Sequence, residues 1–436
     1  VAARRMVLAT DRPASAGRWV LVIAGKGNNG ADGRAAARHL ERWGLRCRIV
    51  DPPARGTEPG PVPAAPGGGG WALVVDAAYG TGMRGAYRSP TVADRVPVLA
   101  VDIPSGVDGL TGRVAGAALA ADRTVTFAAA KPGLLLDPGR RLAGRVEVVD
   151  IGLDCSRATR WWLEATDLDR WPARAPDSHK WRSAVRIVGG RPGMLGAPSL
   201  AAAGAARAGA GYVTLSVPGV DHGGWPVPTE AVLAPVGVAW ADDVIGDAGR
   251  HGAVVLGPGL AVDPATRVEV RRVVAAVTDR PLVLDGGALD AVADDPAVLT
   301  ARAAAGGVLP VLTPHDGELA RLLGRRTGTD RIAEAGAAAA RLGAVVLSKG
   351  PTTVAAHPDG RILVSTAGDR RLATAGTGDV LAGVVGAALA AGLEPFLAAG
   401  LAAERHGRAA LRGRPTGFVA SDLPALLAAP GAVPGR

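Results

Sequence analysis

Cysteine is almost absent from these 436 residues: Cys47 and Cys155 are the only two. Two thiols so far apart exclude a disulfide framework and lack metal-ligand spacing, so they read as inert thiols of a reducing compartment. Aromatic residues make up 3% of the chain, which leaves few platforms for stacked bases. Lysine is scarce too. The net charge of +9 is carried mostly by arginine, and the lysines are Lys26, Lys131, Lys180 and Lys349. Basic residues are spread rather than clustered and no DNA- or RNA-binding signature is present, so the charge points to an anionic small molecule rather than to nucleic acid. Long hydrophobic runs are missing as well. The most membrane-like stretch, 380–393, stops at Glu394-Pro395, short of the ~20 residues that a span requires. No apolar core of leader length follows Arg4-Arg5, so a cytoplasmic protein without a membrane partner is expected.

Glycine is plentiful, at 62 residues, and proline reaches 33, with no collagen-like triplet period. A chain that is 48% hydrophobic and 20% charged is a soluble globular one, and its length exceeds what one core usually covers. Short apolar runs end in Asp or in a glycine turn. WALVVD ends at Asp76, VPVLAVD at Asp102, VEVVD at Asp150 and LVLD at Asp285. Ala-rich amphipathic stretches such as 35–43 and 333–342 lie between such runs. This alternation predicts α/β architecture, with parallel sheets covered by helices and ligands beyond the carboxyl ends of the strands. The polar, Trp-bearing segment 155–175 reads as a linker between a first domain, 1–154, and a second, 176–436. The Pro/Gly-rich stretch 52–70 reads as a surface loop.

The most informative motif is ATAGTGDVLAG at 373–383. Small residues at a helix start aim free N–H groups and the positive end of the dipole at an anion, and Asp379 places a carboxylate beside it. Alone, the motif could equally be a glycine loop with Asp379 as an N-cap. It is accompanied by His179-Lys180, GGRPGMLGA at 189–197, Gly257-Pro258-Gly259, TPHDGE at 313–318 and SKGPTT at 348–353. Backbone donors, one ammonium, one imidazole and one base suffice to move a phosphoryl group, a reaction governed by positioning and electrostatics.

In this order, from about residue 179 to 407, these pieces resemble the ribokinase-like superfamily and within it the ADP- or ATP-dependent NAD(P)H-hydrate dehydratases. The resemblance implies a ribokinase-like α/β/α domain. In it, ADP or ATP with Mg2+ phosphorylates the hydroxyl of hydrated NADH or NADPH, and the ring nitrogen then expels phosphate. It further implies Asp379 as the base. Lys349, Gly350, Pro351, Thr352, Thr353 and Gly378 would hold the nucleotide, and Ala197, Gly259 and His315 would line the hydrate pocket. Superfamily analogy adds a homo-oligomer. The sequence departs from the family pattern at DGGAL, where Gly287 replaces a second carboxylate, at Asp369-Arg370-Arg371 and at Trp181.

GKGNNGADG at 25–33, DAAYGTG at 76–82 and DIPSG at 102–106 each follow an apolar run in the first half. Together they resemble the NAD(P)H-hydrate epimerase domain, which implies a Rossmann-like three-layer fold that interconverts the R and S hydrates. Carried over by motif, Asn28, Asn29, Gly30, Ala31, Asp32, Gly80, Thr81 and Gly82 would contact substrate. Asn29, Asp76 and Ser105 would bind potassium through oxygen donors, and Asp102 would be the acid-base residue. Ala31 stands where the family has glycine. About two dozen residues precede the loop, a shorter helical lead than the resemblance implies, so either the start is mis-set or this domain lacks part of its cover. Two other readings share these motifs. One is a small-alcohol kinase of the same superfamily, and the other makes the first domain a non-catalytic binding scaffold.

Overall fold

The computed structural model of the protein describes residues 2–8, 19–54, 58–68, 70–93, 96–220 and 227–427. The chain divides into two compact units, Val1–Ala158 and Thr159–Gly435.

The first unit is built on a parallel sheet of six strands: β1 (Trp19–Ala24), β2 (Arg46–Val50), β3 (Trp71–Ala77), β4 (Val98–Val101), β5 (Arg123–Phe127) and β6 (Arg145–Val149). Their order is β2-β1-β3-β4-β5-β6. The central strands are apolar throughout because both faces are covered. Val20 and Val22 pack with Leu73 and Val75 against Ala37 and Leu40 of helix α1 (Asn28–Arg42), while Leu21, Ile23 and Val74 face the other way, with Tyr87. From β1 the chain runs out to β2 and returns to β3 on the other side of β1. The cleft between the ends of β1 and β3 is therefore a topological switch point, where such sheets take ligands. In the stretch 52–70 the one helical element among the described residues is a short turn, Pro66–Gly68. Residues 9–18, 55–57 and 69 lie outside the described residues.

Among the described residues the second unit holds ten strands: β7 (Arg160–Trp162), β8 (Ala184–Val188), β9 (Tyr212–Ser216), β10 (Ala231–Leu233), β11 (Ala253–Leu256), β12 (Leu282–Leu284), β13 (Val311–Leu312), β14 (Val345–Ser348), β15 (Thr353–Ala356) and β16 (Ile362–Ser365). Their order is β10-β9-β8-β11-β12-β13-β14-β15-β16-β7, and only β15 runs antiparallel to its neighbours. Helices that bear on the site are α2 (Gly196–Ala208), α3 (Asp316–Leu323), α4 (Arg331–Leu342), α5 (Thr377–Ala390) and α6 (Pro395–Leu411).

Helix α5 is apolar on every side, as a helix enclosed by protein must be; Val380, Val384 and Val385 are fully buried. It meets α2 backbone to backbone. A Cβ at Gly383 would overlap the Ala201 carbonyl, and one at Gly204 would lie 2.5 Å from the Val380 oxygen. The helix ends at Ala390, earlier than its apolar run, because Gly392 takes φ +95° and turns the chain. In the segment 155–175, which composition marks as a linker, Arg160–Trp162 is instead the edge strand β7. The Trp162 indole donates to Thr366 Oγ1 at 3.0 Å, and the Arg405 guanidinium covers Trp171. No helix among the described residues is long and apolar enough to cross a membrane.

Candidate active sites

In the first unit, glycines set the geometry of the switch point. A Cβ at Gly25 would overlap the Ala78 carbonyl and one at Gly30 the Gly25 carbonyl, so α1 starts directly against the end of β1. Asn29 is buried in the first turn of α1, and among the described residues neither atom of its amide has a hydrogen-bond partner. Asn28, Ala31, Asp32, Thr81 and Gly82 are exposed at the mouth, and the Ala31 methyl has room there. Behind them Asp76, 1% exposed, ends β3. Its Oδ1 accepts from the Ser105 hydroxyl at 2.6 Å and its Oδ2 from the Ser105 N–H at 2.8 Å. Burial pushes the Asp76 carboxyl up, and these bonds pull it back in part.

Asp102 follows β4 with φ +69°, a conformation that few non-glycine residues adopt. A Cβ at Gly80 would stand 3.1 Å from Asp102 Oδ2 and 3.5 Å from Asn29 Cβ, so the loops after all three strands converge. Burial and then the Asp102 charge raise the Asp32 carboxyl, which places Asp32 at the same mouth.

In the second unit the loops after β11, β12, β13 and β14 meet the start of α5. Gly257 takes φ +121°, where a Cβ would overlap the Asp285 carbonyl. Ala197 and Gly259 touch, since a Cβ at Gly259 would lie 3.0 Å from that of Ala197. Asp285 Oδ1 accepts from the Thr313 hydroxyl at 2.6 Å and from Lys349 Nζ at 2.8 Å. The same ammonium lies against the glycine turn that opens α5, 3.3 Å from where a Gly378 Cβ would be. Burial pulls Lys349 down, but Asp285 and Glu318 more than offset this and leave it raised. Burial pushes the Glu318 carboxyl up, against the pull of Lys349.

Gly376 is the N-cap of α5, with φ +92°, and Asp379 lies two positions into the helix, half-buried. Among the described residues none donates a hydrogen bond to the Asp379 carboxylate, so it is not the helix cap that its sequence position suggests. Burial raises its pKa to about 7; the Asp285 charge adds to this and Lys349 opposes it. Beneath the turn, His406 donates from Nε2 to the Thr377 carbonyl at 2.9 Å; burial pushes this imidazole down to about 4, which keeps it neutral.

His315 caps α3. Its Nδ1 accepts from the N–H groups of Gly317 and Glu318, at 3.0 and 3.3 Å, while Glu318 Oε2 accepts the His315 N–H at 2.8 Å. The neutral ring therefore carries its proton on Nε2 and remains largely exposed. Pro351, Thr352 and Thr353 complete the loop after Lys349 and Gly350. Sequence reasoning passed over three residues that this geometry brings in. Asp285 and Glu318 surround Lys349, and both were signalled, one by a strand ending in Asp and the other by the third helical position. Arg331 had no signal. At the start of α4 its Nε donates to the Thr352 carbonyl at 2.9 Å, its Nη2 to Ser348 Oγ and the Lys349 carbonyl, and its Nη1 to Asp316 at 2.6 Å. One guanidinium thus fixes the loop 348–352.

The sequence profile of the NAD(P)H-hydrate dehydratase family matches residues 185–428, and that of the YjeF-related protein N-terminus matches 1–61 and 57–133. The bifunctional NAD(P)H-hydrate repair enzyme Nnr of Moorella thermoacetica is 36% identical over 444 residues, covering 90% of this chain and 83% of that one. The protein of the same name from Salinibacter ruber is 38% identical over 475 residues, covering 93% and 85%. A solved ribokinase-like superfamily protein from Enterococcus faecalis superposes with a TM-score of 0.53 at 24% identity, over 62% of this chain and 94% of that one. That last likeness speaks for the fold of the second unit. The two profiles and the near full-length relatives cover both halves in one order, and the chain belongs to the family of bifunctional NAD(P)H-hydrate repair enzymes.

Proposed function

We propose that the two clusters divide the repair of hydrated NADH and NADPH between them as follows. In the second unit Asp379 takes the proton of the ring hydroxyl as its oxygen attacks the terminal phosphoryl group of ADP or ATP. Lys349 and the N–H groups around Gly378 hold the transferred phosphate, with Arg331 keeping the loop 348–353 in place. Ala197, Gly259 and His315 line the hydrate pocket. The C–O bond then breaks as the ring nitrogen's lone pair forms a C=N bond and phosphate leaves, and the neighbouring ring carbon gives up the proton it gained on hydration, which restores the dihydropyridine. Magnesium, when bound, would neutralise charge on the phosphates. The observation that carries the assignment is the meeting of Asp379, Lys349 and Gly378 at one helix start.

In the first unit, Asp102 takes the hydroxyl proton as the bond between ring nitrogen and hydroxyl-bearing carbon opens to an aldehyde. The nitrogen gains a proton, and closure on the other face reverses both transfers. Asn29, Asp76 and Ser105 would hold potassium, which supplies a fixed positive charge. The buried, unpartnered Asn29 amide fits a ligand to such an ion.

The test mixes R and S NADH hydrates with the protein, magnesium and either ADP or ATP, and follows reduced-nicotinamide absorbance. Full recovery is expected. Recovery of half the pool would remove the epimerase, and a stable phosphorylated product would restore the small-alcohol kinase reading. With Asp379 titrating at about 7, kcat/KM for dehydration should fall about tenfold per unit as pH drops below that value and level off above it. A flat profile from pH 5.5 to 8 would remove Asp379 as the base.

A further inference from the structure

Lys131 is one of the chain's few lysines, and the phosphoryl-transfer chemistry does not use it. Its Nζ lies 2.7 Å from Asp102 Oδ1 and donates to Thr126 Oγ1 and the Phe127 carbonyl, both at 2.8 Å. All three ammonium protons are thereby directed. The Thr126 hydroxyl passes its own proton toward the same Asp102 Oδ1, at 3.3 Å. The opposite oxygen, Oδ2, is the one that faces Gly80 and the loop next to Asn29.

The backbone around this contact is unusual. Among the described residues, two non-glycine positions have positive φ: Asp102 at +69° and Ala128 at +63°. Both adjoin the ammonium, one as its carboxylate partner and the other just after the carbonyl that it binds. Backbone strain of this kind persists where surrounding structure fixes it and clusters at working sites. The lysine itself is delivered by a rigid turn. Pro132–Leu134 follows it, the Gly133 N–H donates to the Gly109 carbonyl at 2.9 Å, and a Cβ at Gly133 would overlap the Asp108 carbonyl.

We propose that Lys131 is a positioning residue of the epimerisation centre, one that fixes Asp102 through Oδ1 so that Oδ2 is the oxygen offered to the hydrate. The proposal rests on the reading of Asp102 as the acid-base residue. A free carboxylate rotating at that position would present either oxygen, and a misplacement of about 1 Å costs on the order of 10²-fold in rate.

The experiment uses the full chain without nucleotide, so that dehydration is idle, and follows interconversion of stereochemically pure R NADH hydrate by chromatography. Lys131→Met should lower kcat by about 10²-fold with KM within about threefold, and added ethylamine should restore part of the rate. Lys131→Arg, which keeps a cation at the same turn, should retain more activity than Lys131→Met and the wild-type unfolding temperature. Unchanged kcat in Lys131→Met while Asp102→Asn is inactive would overturn the proposal alone. A loss that ethylamine does not relieve and that Lys131→Arg shares in full, with a lowered unfolding temperature, would overturn it as a merely structural effect. Full activity in Asp102→Asn would instead take down the Asp102 reading, and the proposal with it.

Discussion

Asp379→Asn should lower hydrate dehydration by about 10²–10⁴-fold, the range expected for loss of a positioned general base, and should make the second unit more stable at neutral pH. The stability gain follows from the direction of the shift. The folded carboxyl titrates at about 7, well above its ordinary value near 3.8, so the native state binds this proton more tightly than the unfolded chain does. Stability from this group is therefore fully present below pH 4 and is lost as pH rises from about 4 to 7. Three units correspond to about 4 kcal/mol at most, and partial solvation lowers the gain to on the order of 2–4 kcal/mol. Asparagine cannot ionise and is spared that loss. No cap is forfeited, because Gly376 rather than Asp379 occupies the N-cap. Urea unfolding at pH 8 and at pH 4 checks this. The variant should be the more stable at pH 8 and equal to wild type at pH 4; a variant less stable at pH 8 would contradict the burial argument. Nucleotide KM should change little.

Lys349→Met should damage stability as well as turnover. It leaves Asp285, Glu318 and Asp379 around one point without their shared cation, and breaking a pair buried to this degree costs about 3–5 kcal/mol. Turnover should fall by about 10²–10³-fold as the developing phosphoryl charge loses its ammonium. Part of the stability should return in Lys349→Met/Asp285→Asn, with a coupling of about 1–3 kcal/mol between the two positions. Additive losses in denaturant unfolding would show that the two side chains do not depend on each other.

Much of this was legible in the sequence because parallel strands leave a clear trace. Unbroken apolar runs ending in Asp76, Asp102 and Asp285 marked strands at whose carboxyl ends loops converge, and the glycines at 25–33 and 376–378 marked close backbone approach. What could not be read depends on distant pairing. Lys349 suggested a free phosphate ligand, but its partner Asp285 follows a strand two places away in the sheet and lies 64 residues earlier in the chain. Arg331 was one arginine among many, and its reach to the loop 348–352 exists only once α4 packs beside β14. The short strand β7 is polar, carries two tryptophans and is stabilised by β16, about two hundred residues later in the chain, so composition alone made it a linker. The positive φ of Asp102 has no local signature, since aspartate is ordinary at the end of a strand.

The contact of α5 with α2 has a consequence for re-engineering the enzyme. Main chain presses on main chain at Gly204 and Gly383, so no rotamer change can absorb a larger side chain there. The glycine turn that opens α5 and the GGRPGMLGA segment are consequently locked in register. Mutant libraries aimed at a different phosphoryl donor should leave 201–205 and 380–386 untouched and vary Pro351 and Thr353 instead. There Pro351 is exposed and Thr353 half-buried, and neither lies in the contact between the two helices.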